Sequence, residues 1–303
     1  MKNLLIQSVI KEVEQEILGK EREIELVLIA LLSGGHILIE DLPGMGKTSL
    51  AKAIAGVFQL DFQRVQGSTD LLPSDIIGVS IFNPKSQDFS FKPGPIFTEI
   101  LLFDEMNRTP PKTQSALLQV MAEQAVTVDQ QTYALKGPFF VIGTQNPSTS
   151  EGTYKLPESQ LDRFSMRISL GYPEQSFEKK ILMKFQKSTV RQRHTREEIR
   201  SIQNQITQVQ VDEKIIDYVL NLVDLTRNDP RLIHGISIRG SQELIQLAKT
   251  KAYFEGRDFV IPEDIKLLAP ATCAHRIQAF DLVDRLAQEE YILGILSKVK
   301  VPL

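Results

Sequence analysis

Two short clusters in this chain combine residue types suited to phosphate chemistry. The first is Glu40-Asp41-Leu42-Pro43-Gly44-Met45-Gly46-Lys47-Thr48, followed by Ser49. Backbone N–H groups in a glycine-bearing turn can surround phosphate oxygens, and a helix N-terminus adds positive potential. Gly44 and Gly46 permit close backbone approach. In such a loop, Leu42 to Ser49 hold the phosphates, Lys47 reaches the β- and γ-phosphates, and Thr48 ligates Mg²⁺. The strict pattern G-x-x-x-x-G-K-[ST] is not met, because Asp41 stands at its first glycine. The other reading is an ordinary strand-to-helix turn with a surface lysine. The second cluster is Asp104-Glu105, which ends the apolar run Ile100-Leu101-Leu102-Phe103. An Asp at the edge of a buried strand suits a Mg²⁺ ligand, and the adjacent Glu can polarise a water for attack on a γ-phosphate. Its competing reading is an acidic pair that caps the next helix.

These residues need a scaffold, and the apolar pattern predicts one. His36–Glu40, Phe62–Gln66, Ile100–Asp104, Phe139–Gly143 and Met166–Leu170 read as short buried strands. Glu21–Leu32 and Lys47–Phe58 read as helices, the first stopped by Gly34-Gly35. Near-continuous apolar strands alternating with helices predict a parallel sheet covered on both faces. Two inserts interrupt the rhythm. Residues 72–97 are rich in Pro, Gly and Asp and hold no long helix, and 126–135 read as a β-hairpin. After Gly171-Tyr172-Pro173 the texture becomes helical, with patterns near 174–187, 195–208, 212–227, 238–255, 262–274 and 281–297. The expected division is therefore an α/β domain over 1–172 and a helical domain over 173–303.

Composition excludes several classes. The 303 residues carry 35 Lys+Arg against 38 Asp+Glu, a net charge of −3, so bulk charge does not favour nucleic acid. One cysteine, Cys273, permits neither an intrachain disulfide nor a cysteine-rich zinc site. His36, His194, His234 and His275 are dispersed, with no pair at a metal-ligand spacing. No apolar run approaches a membrane span, and the N-terminus lacks a signal-peptide pattern, so a cytoplasmic location is expected. From Lys179 to Arg200, eight basic residues face only Glu197 and Glu198, a local charge of +6. That stretch reads as a solvated face, or else as a site for an acidic partner or nucleic-acid backbone. Only Phe185 interleaves it, which argues against a base-stacking platform.

Taken in order, these segments resemble the MoxR family of AAA+ ATPases. Leu42–Thr48 and Phe103-Asp104-Glu105-Met106-Asn107-Arg108 are similar to the family's Walker A and Walker B motifs. Gly34–Asp41, Gly94-Pro95-Ile96-Phe97, Gln114-Ser115-Ala116-Leu117-Leu118, Thr144-Gln145-Asn146-Pro147 and Leu156–Phe164 are similar to further family stretches. The resemblance runs from about Gly19 to about Ile277. It implies an AAA+ core with a parallel five-stranded sheet, followed by an all-helical lid, with ATP in the cleft between them. It implies that Asn146 is sensor 1, Arg163 an arginine finger acting on a neighbouring subunit, and Arg239 sensor 2 at the start of a lid helix. The family usually has Pro where Ile238 stands. Ile17-Leu18-Gly19 resembles the segment that packs against adenine. Gln66 stands where related ATPases place a residue that holds the catalytic Glu inactive.

The resemblance further implies Mg²⁺-dependent ATP hydrolysis in a head-to-tail ring, a hexamer, doing chaperone-like remodelling of partner proteins. The implied partner carries a von Willebrand factor A domain, and the inserts face the pore or that partner. Two alternatives stand beside this one. A nucleic-acid motor of the same branch would need basic pore elements or an added DNA-binding domain. A non-hydrolysing scaffold would usually lack Lys47, Asp104 or Glu105, all of which are present. The length leaves no room for a fused effector domain, so the work is expected to reach another chain.

Overall fold

The computed structural model describes residues 3–85, 87–135, 137–147, 153–154, 156–183, 194–279 and 284–302. Of the basic stretch, Lys184, Lys187, Arg191 and Arg193 lie outside the described residues.

The chain opens with two helices, α1 (Leu4–Glu14) and α2 (Glu21–Leu32). Strand β1 (Ile37–Glu40) leads through the glycine loop into α3 (Lys47–Val57), and β2 (Phe62–Gln66) follows. The first insert folds as a short helix, α4 (Pro73–Ile77), and an antiparallel hairpin of β3 (Gly78–Asn83) and β4 (Asp88–Pro93). Then come β5 (Ile100–Asp104) and α5 (Pro111–Glu123). The second insert is the predicted hairpin, β6 (Ala125–Val128) and β7 (Gln131–Ala134). Its turn residues Asp129 and Gln130 both have positive φ, as a tight two-residue connection with matching twist requires. Strands β8 (Phe140–Gln145) and β9 (Met166–Ile168), with α6 (Glu158–Leu161) between them, complete the core.

Five strands form one parallel sheet in the order β2-β5-β8-β1-β9. Both faces are covered, so the central strands β1, β5 and β8 are apolar almost throughout. Alternate residues of β5 enter different layers: Ile100 and Leu102 pack toward α1 to α3, while Leu101 and Phe103 pack toward α5. The two inserts meet each other, with the Phe91 and Tyr133 rings stacked at 4.4 Å between centroids.

Beyond β9 lie α7 (Gln175–Met183), α8 (Arg196–Thr207), α9 (Glu213–Arg227), α10 (Ile238–Phe254), α11 (Pro262–Cys273) and α12 (Arg285–Leu296). A small antiparallel ladder of β10 (Leu232–His234) and β11 (Gln278–Ala279) accompanies them. This helical lid is an extension of the core's packing. Apolar residues of α8 to α12 belong to the same buried cluster as α1 to α3. Lys251 on α10 pairs with Glu25 on α2 at 2.6 Å, and Arg167 on β9 donates to Gln288 on α12 at 2.5 Å. Arg196 on α8 bridges the buried Glu99 at 2.6 Å and Asp61 at 3.3 Å, so this member of the basic stretch is paired within the fold. No helix among the described residues is long and apolar enough to cross a membrane.

Candidate functional site

Parallel strands all end on one side, and loops at their C-terminal edge gather side chains from distant sequence positions. Here that edge carries a pocket of about 360 Å³. Gly44, Gly46, Lys47, Thr48 and Ser49 line it from the loop after β1, Arg64 and Gln66 from β2, Asp104 and Glu105 from β5, and Asn146 from just past β8. The two clusters singled out in the sequence therefore face one space.

The loop's geometry follows from its glycines. Gly44 and Gly46 have φ of +87° and +88°, a region side chains rarely enter, and Gly46 is the N-cap of α3. Lys47 donates to the carbonyls of Asp41 at 2.8 Å and Leu42 at 3.2 Å. Partial burial pushes its ammonium pKa down, while Asp41, Asp104 and Glu105 oppose that shift. Asp41 explains why this loop does without its first glycine. Its buried carboxylate accepts from Ser169 Oγ at 2.8 Å, Leu170 N–H at 2.5 Å and Gly171 N–H at 3.3 Å. An acceptor is needed there to tie the loop to the chain leaving β9, and glycine cannot supply one.

The acidic pair is held by a residue that sequence reading passes over as chemistry. Thr144, fully buried on β8, donates to Asp104 Oδ1 at 2.6 Å, and its oxygen accepts the Glu105 backbone N–H at 2.9 Å. Glu105 has φ +54°, a strained value for a side-chain-bearing residue, which turns it away from the strand direction. Gly67 closes over the same turn: a Cβ there would sit 2.2 Å from the Glu105 carbonyl oxygen. Arg64 was also missed, because a lone charge on an edge strand looks like an ordinary solvated side chain. It donates to Asp104 Oδ2 at 2.7 Å and Gln66 Oε1 at 2.8 Å. Gln66 thus engages Arg64 and not Glu105, contrary to its expected role; the residue bonded to Glu105 is Arg108, at 3.1 Å.

The expected cleft between core and lid is not where the pocket lies. Among the described residues, none beyond Asn146 lines it. From the lid, the Phe177 ring of α7 lies against Gly19 (φ +72°). Ile17 reaches within 3.9 Å of where a Cβ on Gly46 would stand, so the segment Ile17-Leu18-Gly19 does flank the loop.

Arg163 and Arg239 do not join the pocket either. Arg163 precedes Met166, which pairs with Ile37 at the N-terminal edge of the sheet, and it donates to the Leu118 carbonyl at 2.5 Å. Arg239 is exposed at the start of α10, whose N-cap Ser237 bonds Asp162 at 3.2 Å. Both arginines therefore stand at the edge opposite the phosphate loop. The lid's attachment to β9 and α2 puts α10 there, and adjacent sequence cannot report such a placement. His36, at the same edge, is structural. Its Nδ1 accepts from the Val141 N–H at 3.1 Å and its Nε2 lies 3.3 Å from the Met121 carbonyl. Burial lowers its pKa to about 4, with Arg239 contributing in the same direction and the Met121 carbonyl against it.

The donors facing the pocket are oxygens: the Thr48 hydroxyl and the Asp104 and Glu105 carboxylates. Among the described residues no cluster of three or more His, Cys, Asp or Glu could hold a metal unaided. That combination suits Mg²⁺, which takes one or two protein oxygens plus phosphate oxygens and water.

A parallel α/β sheet with a glycine loop on its first strand, acids on a neighbouring strand and a helical lid defines an AAA-type nucleotide-binding protein. The model of the ATPase family associated with various cellular activities (AAA) matches residues 36–166, and that of the AAA lid domain matches 224–292. The chain is similar to the uncharacterized protein YeaC of Bacillus subtilis, at 43% identity over 99% of this chain and 95% of that protein. It is also similar to Chaperone MoxR1 of Mycobacterium tuberculosis, at 36% identity over 98% of this chain and 82% of that protein. A crystal structure of a candidate ATPase from Cytophaga hutchinsonii matches with a TM-score of 0.89 at 37% identity, covering 98% of this chain and 95% of that one. The chain belongs to the MoxR family of AAA+ ATPases.

Proposed function

We propose that this chain hydrolyses ATP at the C-terminal edge of its sheet and uses the cycle for chaperone-like remodelling of partner proteins. The observation that carries this reading is the convergence of Lys47, Thr48, Asp104 and Glu105 on one pocket from two separate strand ends. Phosphates bind against the N–H groups of residues 42–49 at the head of α3. Lys47 leaves the Asp41 and Leu42 carbonyls for the β- and γ-phosphates. Thr48 and Asp104 would hold Mg²⁺, which when bound offsets phosphate charge. Glu105 accepts a hydrogen bond from the attacking water, and Asn146 helps orient it without competing for the proton. Leu18 and Gly19 flank the base.

Arg163 and Arg239 lie too far round the sheet to serve their own pocket, so in this reading both serve the next subunit. Such a contact joins unlike faces and closes head-to-tail into a ring, a hexamer by family resemblance. The division at about Tyr172 into 1–172 and 173–303, and a cytoplasmic location, belong to the same reading. The insert hairpin β3–β4 leaves Ile81, Phe82 and Phe89 exposed at its surface, which supports client contact through that insert. The client class proposed is a protein carrying a von Willebrand factor A domain.

Glu105→Gln tests the reading. Turnover should fall by about 10²-fold or more, as expected for loss of a positioned base, while ATP binding persists. A variant that hydrolyses ATP at the native rate would remove Glu105 from its role. A pull-down on the ATP-trapped variant then identifies the client.

A further inference from the structure

At the edge of the sheet opposite the phosphate loop, one buried guanidinium organises both arginines assigned to the neighbouring subunit. Arg276 follows α11, and its side chain is 1% exposed. All five of its N–H donors are used. Nε donates to Asp162 Oδ1 at 2.8 Å. Nη2 donates to the carbonyls of Asp162 at 3.2 Å and Phe164 at 2.8 Å, which flank Arg163 on either side. Nη1 donates to the Ser165 carbonyl at 3.2 Å and to that of Thr272. The backbone around Arg163 is thus clamped from the lid.

The same group reaches Arg239. The Asp162 carboxylate that Arg276 holds also accepts from Ser237 Oγ at 3.2 Å, and Ser237 caps α10 by accepting the Gly240 N–H at 2.9 Å. Gly240, next to Arg239, packs so closely that a Cβ there would meet Arg276 Cδ at 2.7 Å. A larger residue would push the helix start off the clamp. Arg163 and Arg239 are distant in sequence yet share one rigid mount, whose centre is Arg276.

We propose that Arg276 is a positioning residue that presents Arg163 and Arg239 together to the nucleotide of a neighbouring copy of this chain. The inference rests on the reading of both arginines given above. A lysine could keep the charge but not the fork that holds four carbonyls and a carboxylate at once. The lid thereby acts on catalysis next door without lining its own pocket.

Mixed assemblies test this. Lys47→Ala subunits carry intact arginines and a dead pocket, whereas Arg163→Ala subunits carry an intact pocket and no finger. Mixing the two should restore ATP turnover at least fivefold over either alone. Arg276→Gln should lower kcat at least tenfold with KM within twofold, and Arg276→Lys should recover only part of that loss. Arg276→Gln should be restored by Lys47→Ala subunits and not by Arg163→Ala subunits, a pattern that general damage to the fold does not produce. If Arg163→Ala is not restored by Lys47→Ala, the reading of the arginines fails and this inference with it. If Arg163→Ala is restored but Arg276→Gln is not, or if Arg276→Gln keeps native kcat, the inference alone is overturned. Should Arg276→Gln not assemble, Ser237→Ala cuts the link from Asp162 to α10 together with the hydroxyl cap on Gly240, and leaves every Arg276 contact in place. A threefold or greater fall in kcat, restored by Lys47→Ala subunits, supports the shared mount, and native kcat overturns it.

Discussion

At the C-terminal edge of the sheet Asp104 shares its carboxylate between Thr144 and an Arg64 whose side chain is 47% exposed; at the N-terminal edge Asp162 gives its carboxylate to an Arg276 that is 1% exposed. Both are aspartate–arginine pairs of nearly equal length, at 2.7 and 2.8 Å. Their surroundings set them apart. Arg64 is half in water and can leave Asp104 at little cost. Arg276 has no water to return to, and every donor it owns is committed inside the protein. The first edge is built from contacts that a ligand can replace, and Lys47 resting on loop carbonyls is another of them. The second edge is built from contacts that nothing small can replace, as befits a rigid mount.

The contrast breaks most visibly if Arg276 can be removed cheaply. Arg276→Ala should lower the free energy of unfolding by about 3–5 kcal/mol, because Asp162 and several carbonyls lose a buried partner. Denaturant unfolding at neutral pH measures it, and a loss near that of an exposed pair would erase the distinction between the edges.

His36 sharpens the picture of the same edge through pH. Its pKa in the folded chain is about 4, below the ordinary 6.5. Above pH 6.5 the imidazole is neutral in both states and contributes no pH dependence. Between pH 6.5 and 4 the unfolded chain binds a proton that the folded chain refuses, so stability falls as pH drops, and below 4 this contribution levels off. The fall should amount to roughly 3 kcal/mol. His36→Gln should flatten the unfolding free energy across that window in part. His275, also shifted down by burial, retains a slope of the same sign.

Asp41 joins the phosphate loop to the exit of β9, and Asp41→Ala leaves three donors unsatisfied. The expected cost is about 1–3 kcal/mol. Hydrogen exchange should rise at the Leu170 and Gly171 amides while the Arg276 contacts stay protected; exchange rising equally at both edges would show that they are not independent.

Arg64→Ala should be the mildest, costing less than about 1 kcal/mol. Its effect belongs in ligand binding. Freeing Asp104 should change the Mg²⁺ concentration needed for half-maximal nucleotide binding, read by titration, without moving the thermal midpoint more than a few degrees. A large loss of stability with unchanged Mg²⁺ dependence would mean that Arg64 is structural.

Much of this was legible in sequence. The five sheet strands fall within two residues of the apolar runs that predict them, and the described lid helices follow their patterns closely. Buried strands and amphipathic helices write their periodicity directly into composition. Helices α1 and α5 are not among those the pattern predicts, nor is hairpin β3–β4 inside the first insert. That hairpin is exposed on both faces for most of its length, so its brief Val79-Ser80-Ile81 and Phe89-Ser90-Phe91 alternation marks no buried face and is masked by the Pro, Gly and Asp around it. The glycine loop and the acidic pair were visible because phosphate and Mg²⁺ impose specific residue types. Arg64, Thr144 and Gly67 were not, because an arginine, a threonine or a glycine is informative only once its neighbours are known.

The sequence by itself determined that Lys47, Thr48, Asp104 and Glu105 meet at the phosphate loop's edge, since a parallel sheet sends every strand end of one sense to one side. The side of the sheet that the lid covers was decided only in the tertiary structure. Apolar residues of α8 to α12 are satisfied by α2 and β9, and that packing is a long-range match of surfaces that no local pattern encodes. It carries Arg239 away from its own pocket and ties the start of its helix to Asp162, the residue before Arg163, on a mount centred on Arg276.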